Sequence, residues 1–256
     1  MRKFLTIASL FALTLSACTN ETSLSGENGE GRVTFNCVAE TTVDITRANI
    51  SCTTPTTEDF ALTIDGVGHT YTANFASVTE FNEGDYYLHN GSYKASVVAG
   101  DLTQEGYDKA TFVGSVNFEI AARQNTEVQI SAKIANTLVK VEVTDAFKNY
   151  FIGGHALTLV TAAGNEFDVT TQNQPLFIAP AAFSIKGTAT KQPNQSGAEG
   201  TVVTLPEYKL ESPAAQTYYT VKFDVESAGG THLTISLNDT LAESIEIEQE
   251  LNDNAQ

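Results

Sequence analysis

From Arg32 onward the apolar residues of this 256-residue chain recur at every second position. The runs "RVTFNCVAE", "DFALTIDG", "EVQISAKIA", "TLVKVEVTD", "HALTLVTA", "YYTVKFDVE", "HLTISLN" and "SIEIEQEL" share this spacing. Side chains two apart lie on one face of an extended chain, so each run predicts a strand with one buried face. Threonine and valine, which suit a pleated and half-buried surface, are abundant in these runs. Turn residues punctuate them. Asn90-Gly91, between "DYYLH" and "SYKASVV", is the strongest hairpin mark, and Asp65-Gly66, Gly164-Asn165 and Gly229-Gly230 mark further turns. Helical spacing is rare, and "DAFKNYF" at 145–151 is the one short helix predicted. An all-β fold built from antiparallel β-sandwiches follows, with Phe35, Val141 and Phe223 on the inward faces.

A weak internal repeat sets the domain count. "LHNGSYKASVVA" (88–99) is matched by "IAPAAFSIKGTA" (178–189), with an aliphatic residue five positions before an aromatic in each: Leu88 with Tyr93, and Ile178 with Phe183. Each copy sits in a sandwich-sized segment that opens and closes with an alternating strand. The expectation is two tandem sandwiches, 32–136 and 137–256, joined near Asn136 without a Pro- or Ser-rich linker, so that they abut.

The start of the chain reads as an address. Arg2 and Lys3 precede an apolar run from Phe4 to Leu15. That run is too short to span a bilayer, which takes ~20 residues, but suits a signal peptide over 1–17. Leu15-Ser16-Ala17-Cys18 then resembles the lipobox of bacterial lipoproteins, in which the peptidase cuts before the cysteine and that cysteine is acylated. Residues 18–31, polar and rich in Gly and Ser, form a flexible tether. Loss of Arg2 and Lys3 with the leader takes the net charge from -17 to -19. Such a charge disfavours nucleic acid and anionic lipid as partners. Only Cys37 and Cys52 then remain; they could form a bridge closing a loop of about 15 residues, worth ~3 kcal/mol, or stay separate buried thiols.

The residues offer little chemistry. His69, His89, His155 and His232 are far apart, and none sits in a zinc-binding or hydrolase motif. "GVGHTY" at 66–71 lacks the third glycine of a dinucleotide loop and reads as a hairpin turn. "EFNEGDYY" at 80–87 gathers Glu80, Asn82, Glu83 and Asp85 without the spacing of a calcium loop. No catalytic residue, metal or cofactor is expected. The chain has no Trp, so any sugar stacking would fall to Tyr86-Tyr87 or Tyr218-Tyr219, one ring of each pair facing outward.

The lipobox, the polar tether, Thr-Arg-Ala at 46–48, "LHNGSYKASVVAGD" and the second sandwich together resemble a domain-of-unknown-function family of Bacteroidetes surface lipoproteins. The layout is similar to the fimbrillins, the two-sandwich subunits and anchors of pili. The resemblance implies a non-enzymatic protein held by lipid on Cys18 in the outer membrane and facing the cell surface, with a role in adhesion or structural attachment. The alternative is a glycan-binding accessory lipoprotein of a polysaccharide-uptake system. Partners would be outer-membrane lipid and either pilus-like subunits or surface glycans. The fimbrillin likeness also implies proteolysis after Arg47, which would remove the first strand and open a groove for a donor strand; "SIEIEQEL" has the pattern of such a donor. Asp239-Thr240-Leu241 resembles an O-glycosylation acceptor, with Thr240 carrying the sugar. If Cys18 carries the anchor, Cys18→Ser releases the protein from membranes into the soluble fraction; unchanged detergent partitioning of that variant refutes the lipobox reading.

Overall fold

The computed structural model describes residues 29–41, 50–191, 200–226, 230–236 and 245–249. The first half carries β1 (Glu30–Glu40), β2 (Ala61–Val67), β3 (Thr72–Phe75), α1 (Val78–Glu83), β4 (Tyr87–His89), β5 (Gly91–Ala99), β6 (Phe112–Ile120) and β7 (Asn125–Ile134). The second carries β8 (Thr137–Val143), α2 (Asp145–Tyr150), β9 (His155–Thr161), β10 (Glu166–Asp168), β11 (Leu176–Ile178), β12 (Phe183–Thr190), β13 (Val202–Leu210), β14 (Thr217–Glu226), β15 (Gly230–Ser236) and β16 (Ile245–Gln249). The all-β prediction holds, and the helix expected at 145–151 is α2. Its N-terminus is capped by Thr144, whose hydroxyl accepts a bond from the Phe147 N–H (3.1 Å).

Three sheets form: β3-β2-β5-β6-β7-β1-β4, β10-β9-β12-β13 and β11-β8-β14-β15-β16. The first sheet reads as the other two joined. Its segment β3-β2-β5-β6 has the order of β10-β9-β12-β13, and its segment β4-β1-β7 has the order of β11-β8-β14. The join is narrow, because β6 and β7 pair only at Phe112↔Ile134 and Val113↔Lys133. Away from that corner the sheet folds over itself: the Phe35 ring on β1 meets the Phe118 ring on β6 edge-on, with centroids 5.3 Å apart. The repeat noted at Leu88 and Ile178 falls on equivalent edge strands, since Leu88 pairs with Gly31 and Ile178 with Thr137.

Several expectations change. The sheets are not wholly antiparallel: β1 runs parallel to β7 over nine registered pairs, from Arg32↔Asn125 to Glu40↔Lys133, and β8 runs parallel to β14 from Thr137↔Thr217 to Phe223↔Val143. A parallel pair needs a long crossover, and here the body of each half supplies it. Asn90-Gly91 does not close a hairpin. β4 pairs with β1 while β5 pairs with β2 and β6, so this dipeptide carries the chain from one layer to the other. The unpaired flank of β1 takes β4, and Gly91, at φ +154°, tolerates the sharp change of direction. The first strand begins at Glu30, so Glu30 and Gly31, assigned to the tether, are paired with His89 and Leu88. The turns read at "GVGHTY" and Gly164-Asn165 hold: β2–β3 and β9–β10 are antiparallel hairpins, with Gly68 (φ +81°) and Gly164 (φ +84°) at their turns, whereas Asp65-Gly66 lies within β2, in register with Lys94 and Tyr93. Gly229 lies outside the described residues, between the paired strands β14 and β15.

Two apolar clusters form the interior. Phe35, Phe60, Phe81 and Tyr93 belong to the first; Val141, Phe147, Phe183 and Phe223 belong to the second. Phe35, Val141 and Phe223 are at most 3% exposed, as the alternation predicts. The seam between the clusters is bonded rather than loose. Asn136, between β7 and β8, is fully buried; its Oδ1 accepts from the Thr111 N–H (2.6 Å) and its carbonyl from the Gln216 N–H (2.9 Å). Gly106 and Phe177 exchange two backbone bonds. The Glu105 carboxylate accepts from Thr161 Oγ1 (2.6 Å), Asn165 Nδ2 (2.8 Å) and the Ala179 N–H (2.9 Å). A first-half loop thus grips the second half. Hydrogen bonds to a charged group contribute ~1.5–3 kcal/mol each before solvent screening. Glu105→Ala is expected to cost ~2 kcal/mol in all and to split one calorimetric unfolding transition into two; a single transition at the parent temperature would show that the seam does not depend on this carboxylate.

Candidate functional site

The described histidines do not converge. His69 lies edge-on against Tyr93 (4.9 Å between centroids) at the β2–β3 turn. His89, on β4, faces Glu30 at 3.5 Å with its side chain largely exposed. His155, on β9, stands edge-on to Phe147 (5.5 Å), and its Nε2 is buried without a hydrogen-bond partner. His232 lies on β15, opposite Asp224 in the strand register. Among the described residues, no three His, Cys, Asp or Glu side chains stand close enough to hold a metal ion.

The acidic stretch considered for calcium is α1 and its exit, not an open loop. Ser77 Oγ accepts from the Glu80 N–H (3.0 Å), and the Glu80 carboxylate accepts from the Ala76 N–H (2.8 Å), a reciprocal cap that commits both groups to the helix start. Asn82 turns away from any ion site: its Oδ1 accepts from the Phe35 N–H (3.0 Å) and its Nδ2 donates to the Phe35 carbonyl (2.8 Å). Gln172 does the same on the other half, with Oε1 accepting from the Val141 N–H (2.6 Å) and Nε2 donating to the Val139 carbonyl (3.0 Å). Sequence reading passed over Gln172 and Glu105, because a lone polar residue between strands carries no periodic signal.

The tyrosine pairs part company. Tyr86 is 40% exposed, stacked on Phe81 (14°, 5.3 Å) and edge-on to Phe75. Tyr87, on β4, pairs with Arg32 of β1. Tyr218 packs against the first apolar cluster, and burial raises its hydroxyl pKa. The Tyr219 hydroxyl accepts from the Ala214 N–H (2.9 Å). Of the four, only Tyr86 is exposed; the other three are half-buried. A cavity of about 390 Å³ lies between β8, α2, β9 and residues 170–172, lined by Lys140, Glu142, Lys148, His155 and Gln172. Its cations are engaged: Lys140 with Glu142 at 2.7 Å, and Lys148 with Asp145 at 3.6 Å.

Cys18, Arg47 and Thr240 lie outside the described residues. Cys37 and Cys52 stand as free thiols against the first apolar cluster, so the bridge their spacing allowed is not formed in this structure. Burial pushes the Cys37 thiol up from 9.0 to about 11. Burial also raises Cys52, with the Asp108 carboxylate adding to the effect. The thiolate is the nucleophile, so at pH 8 Cys37 holds about a hundredfold less of it than an ordinary thiol. Its alkylation rate should therefore keep rising with pH up to about 11 rather than levelling near 9.0, read by mass spectrometry of the intact fold; labelling that appears only after reduction would demonstrate a bridge instead.

No curated protein matches the chain. Among solved structures, a candidate adhesin from Bacteroides thetaiotaomicron aligns at 13% identity over 89% of this chain and 82% of its own, with a TM-score of 0.35. A candidate cell adhesion protein from Bacteroides eggerthii aligns at 11% over 78% and 87%, with a TM-score of 0.41. A structure described as candidate polysaccharide binding proteins (DUF1812), also from B. thetaiotaomicron, aligns at 8% over 81% and 97%, with a TM-score of 0.35. A family model described as Domain of unknown function (DUF4493) matches residues 29–253 of the chain, and the chain belongs to that family.

Proposed function

We propose that this chain is a non-enzymatic attachment module of the outer cell surface, held by lipid on Cys18 and built as two tandem β-sandwiches in the manner of a fimbrillin. The observation that carries the reading is the repeated strand order, with only Ala135 and Asn136 between β7 and β8 and the Glu105 loop gripping the second half. Two like units fixed to one another make a stiff spacer, which suits a load-bearing or display role better than a hinged cleft does. The lipobox at Cys18 and the acidic charge fit an exported protein whose anchor lies at its own N-terminus. Outer-membrane lipid is then the first partner, and pilus-like subunits are the second.

Processing at Arg47 belongs to this reading. Cleavage there would separate β1 from the rest of its sheet, leaving the flanks of β7 and β4 without their shared neighbour. Exposed flanks of that kind invite a replacement strand. A glycan-binding role is the second reading, favoured by the exposed side chain of Tyr86, stacked on Phe81. In protein isolated from native cells, mass spectrometry of the N-terminus should find acylated Cys18. A terminus at Ala48, with ladders on unboiled gels, would make the chain a polymerising subunit. An unmodified Cys18 in soluble protein would overturn the anchored reading, and glycan-array binding lost in Tyr86→Ala would transfer the function to sugar capture.

A further inference from the structure

The two carboxamides occupy one position of the repeat. Asn82 lies six residues before Leu88, and Gln172 six before Ile178, the residues that pair β4 with β1 and β11 with β8. Their targets correspond as well. Phe35 lies four residues beyond Gly31, the partner of Leu88, and Val141 lies four beyond Thr137, the partner of Ile178. Asn82 is on a helix and Gln172 in a loop. The local structure differs, yet the side-chain amide reaches the same backbone.

The reason lies in the short edge strands. β4 and β11 have three residues each, whereas β1 and β8 have eleven and seven. Beyond Arg32 and Val139 the outer flank of each first strand has no strand partner among the described residues. Its N–H and C=O groups point outward there, and an exposed strand flank of this kind is a template for another chain. A carboxamide carries one carbonyl and an NH2 group, so it can make the pair of bonds that a backbone residue would make. Asn82 makes that pair with Phe35, and Gln172 spans Val139 and Val141.

We propose that Asn82 and Gln172 are edge blocks: each stands in for the next residue of a truncated edge strand and closes the first strand of its unit to strand addition. The occupant they exclude is a second copy of the chain, because the same flank of β1 in two copies can pair antiparallel about a two-fold axis. Val38 on that strand, 41% exposed, would gain cover in such a pair. This inference stands on the geometry of the two strands and is independent of the attachment role.

The test uses the full chain with Asn82→Ala and Gln172→Ala made separately, and Glu83→Ala as a control on α1 that leaves the amide in place. Backbone amide exchange by NMR should quicken about tenfold at Phe35 in the first variant and at Val141 in the second, the loss of one protecting bond. Sedimentation velocity should show association above that of the parent, rising with concentration. The sites lie in different units, so a variant that fails to fold leaves the other as the test. Unchanged exchange at both amides, faster exchange without added association, or an equal effect from Glu83→Ala would each overturn the proposal.

Discussion

Each half of this protein is closed by one parallel ladder between its first strand and a strand reached only after a long crossover: β1 with β7, and β8 with β14. The backbone bonds of that ladder join residues more than 75 positions apart, as Thr137 and Thr217 show. Loop-closure entropy must be met before any of these bonds forms, so the ladder is costly to close and holds only if the layers beneath it pack. That dependence explains where the large side chains lie. Phe35 on β1 meets Phe81 and Phe118 across the first interior, and Phe223 on β14 meets Phe147 in the second. One strand of each ladder thus carries the central aromatic contact of its half: β1 through Phe35 in the first, and β14 through Phe223 in the second.

The seam follows from the same arrangement. Because β7 ends at Ile134 and β8 begins at Thr137, the chain crosses between units while fully buried, and Asn136 must satisfy polar groups that water cannot reach. It satisfies two of them, from Thr111 and Gln216, while its own Nδ2 and Thr111 Oγ1 remain without partners among the described residues. Such orphans cost free energy. The Glu105 carboxylate and the Gly106–Phe177 bonds, on the rim of the same seam, offset that cost. Phe177 and Leu138 come from second-half strands yet pack into the first cluster, and Tyr107 crosses the other way. The two cores are thus interlocked at their boundary.

The polar chemistry of the molecule is turned toward its own backbone. Glu80, Asn82, Thr144 and Gln172 each complete a helix start or a strand flank. Asp101 and Asp168 accept from the threonines two residues on, and those bonds lower their pKa values. Side chains that would be candidate ligands in a cleft are here used to finish secondary structure, which is why the acidic stretch at 80–85 gathers carboxylates without converging them.

The sequence by itself determined the strand content, the inward faces and the existence of a repeat, because all three depend on local spacing: alternation places Phe35, Val141 and Phe223 inside whatever sheet they join. Which strand pairs with which was decided only by tertiary structure. Asn90-Gly91 has the dihedral freedom for a hairpin, but β4 pairs with the flank of β1, and β5 lies between β2 and β6. The roles of Asn82, Glu105 and Gln172 were likewise invisible in one dimension. Each bonds to residues 31 to 74 positions away along the chain, and a polar side chain has no periodicity to betray the distant backbone it completes.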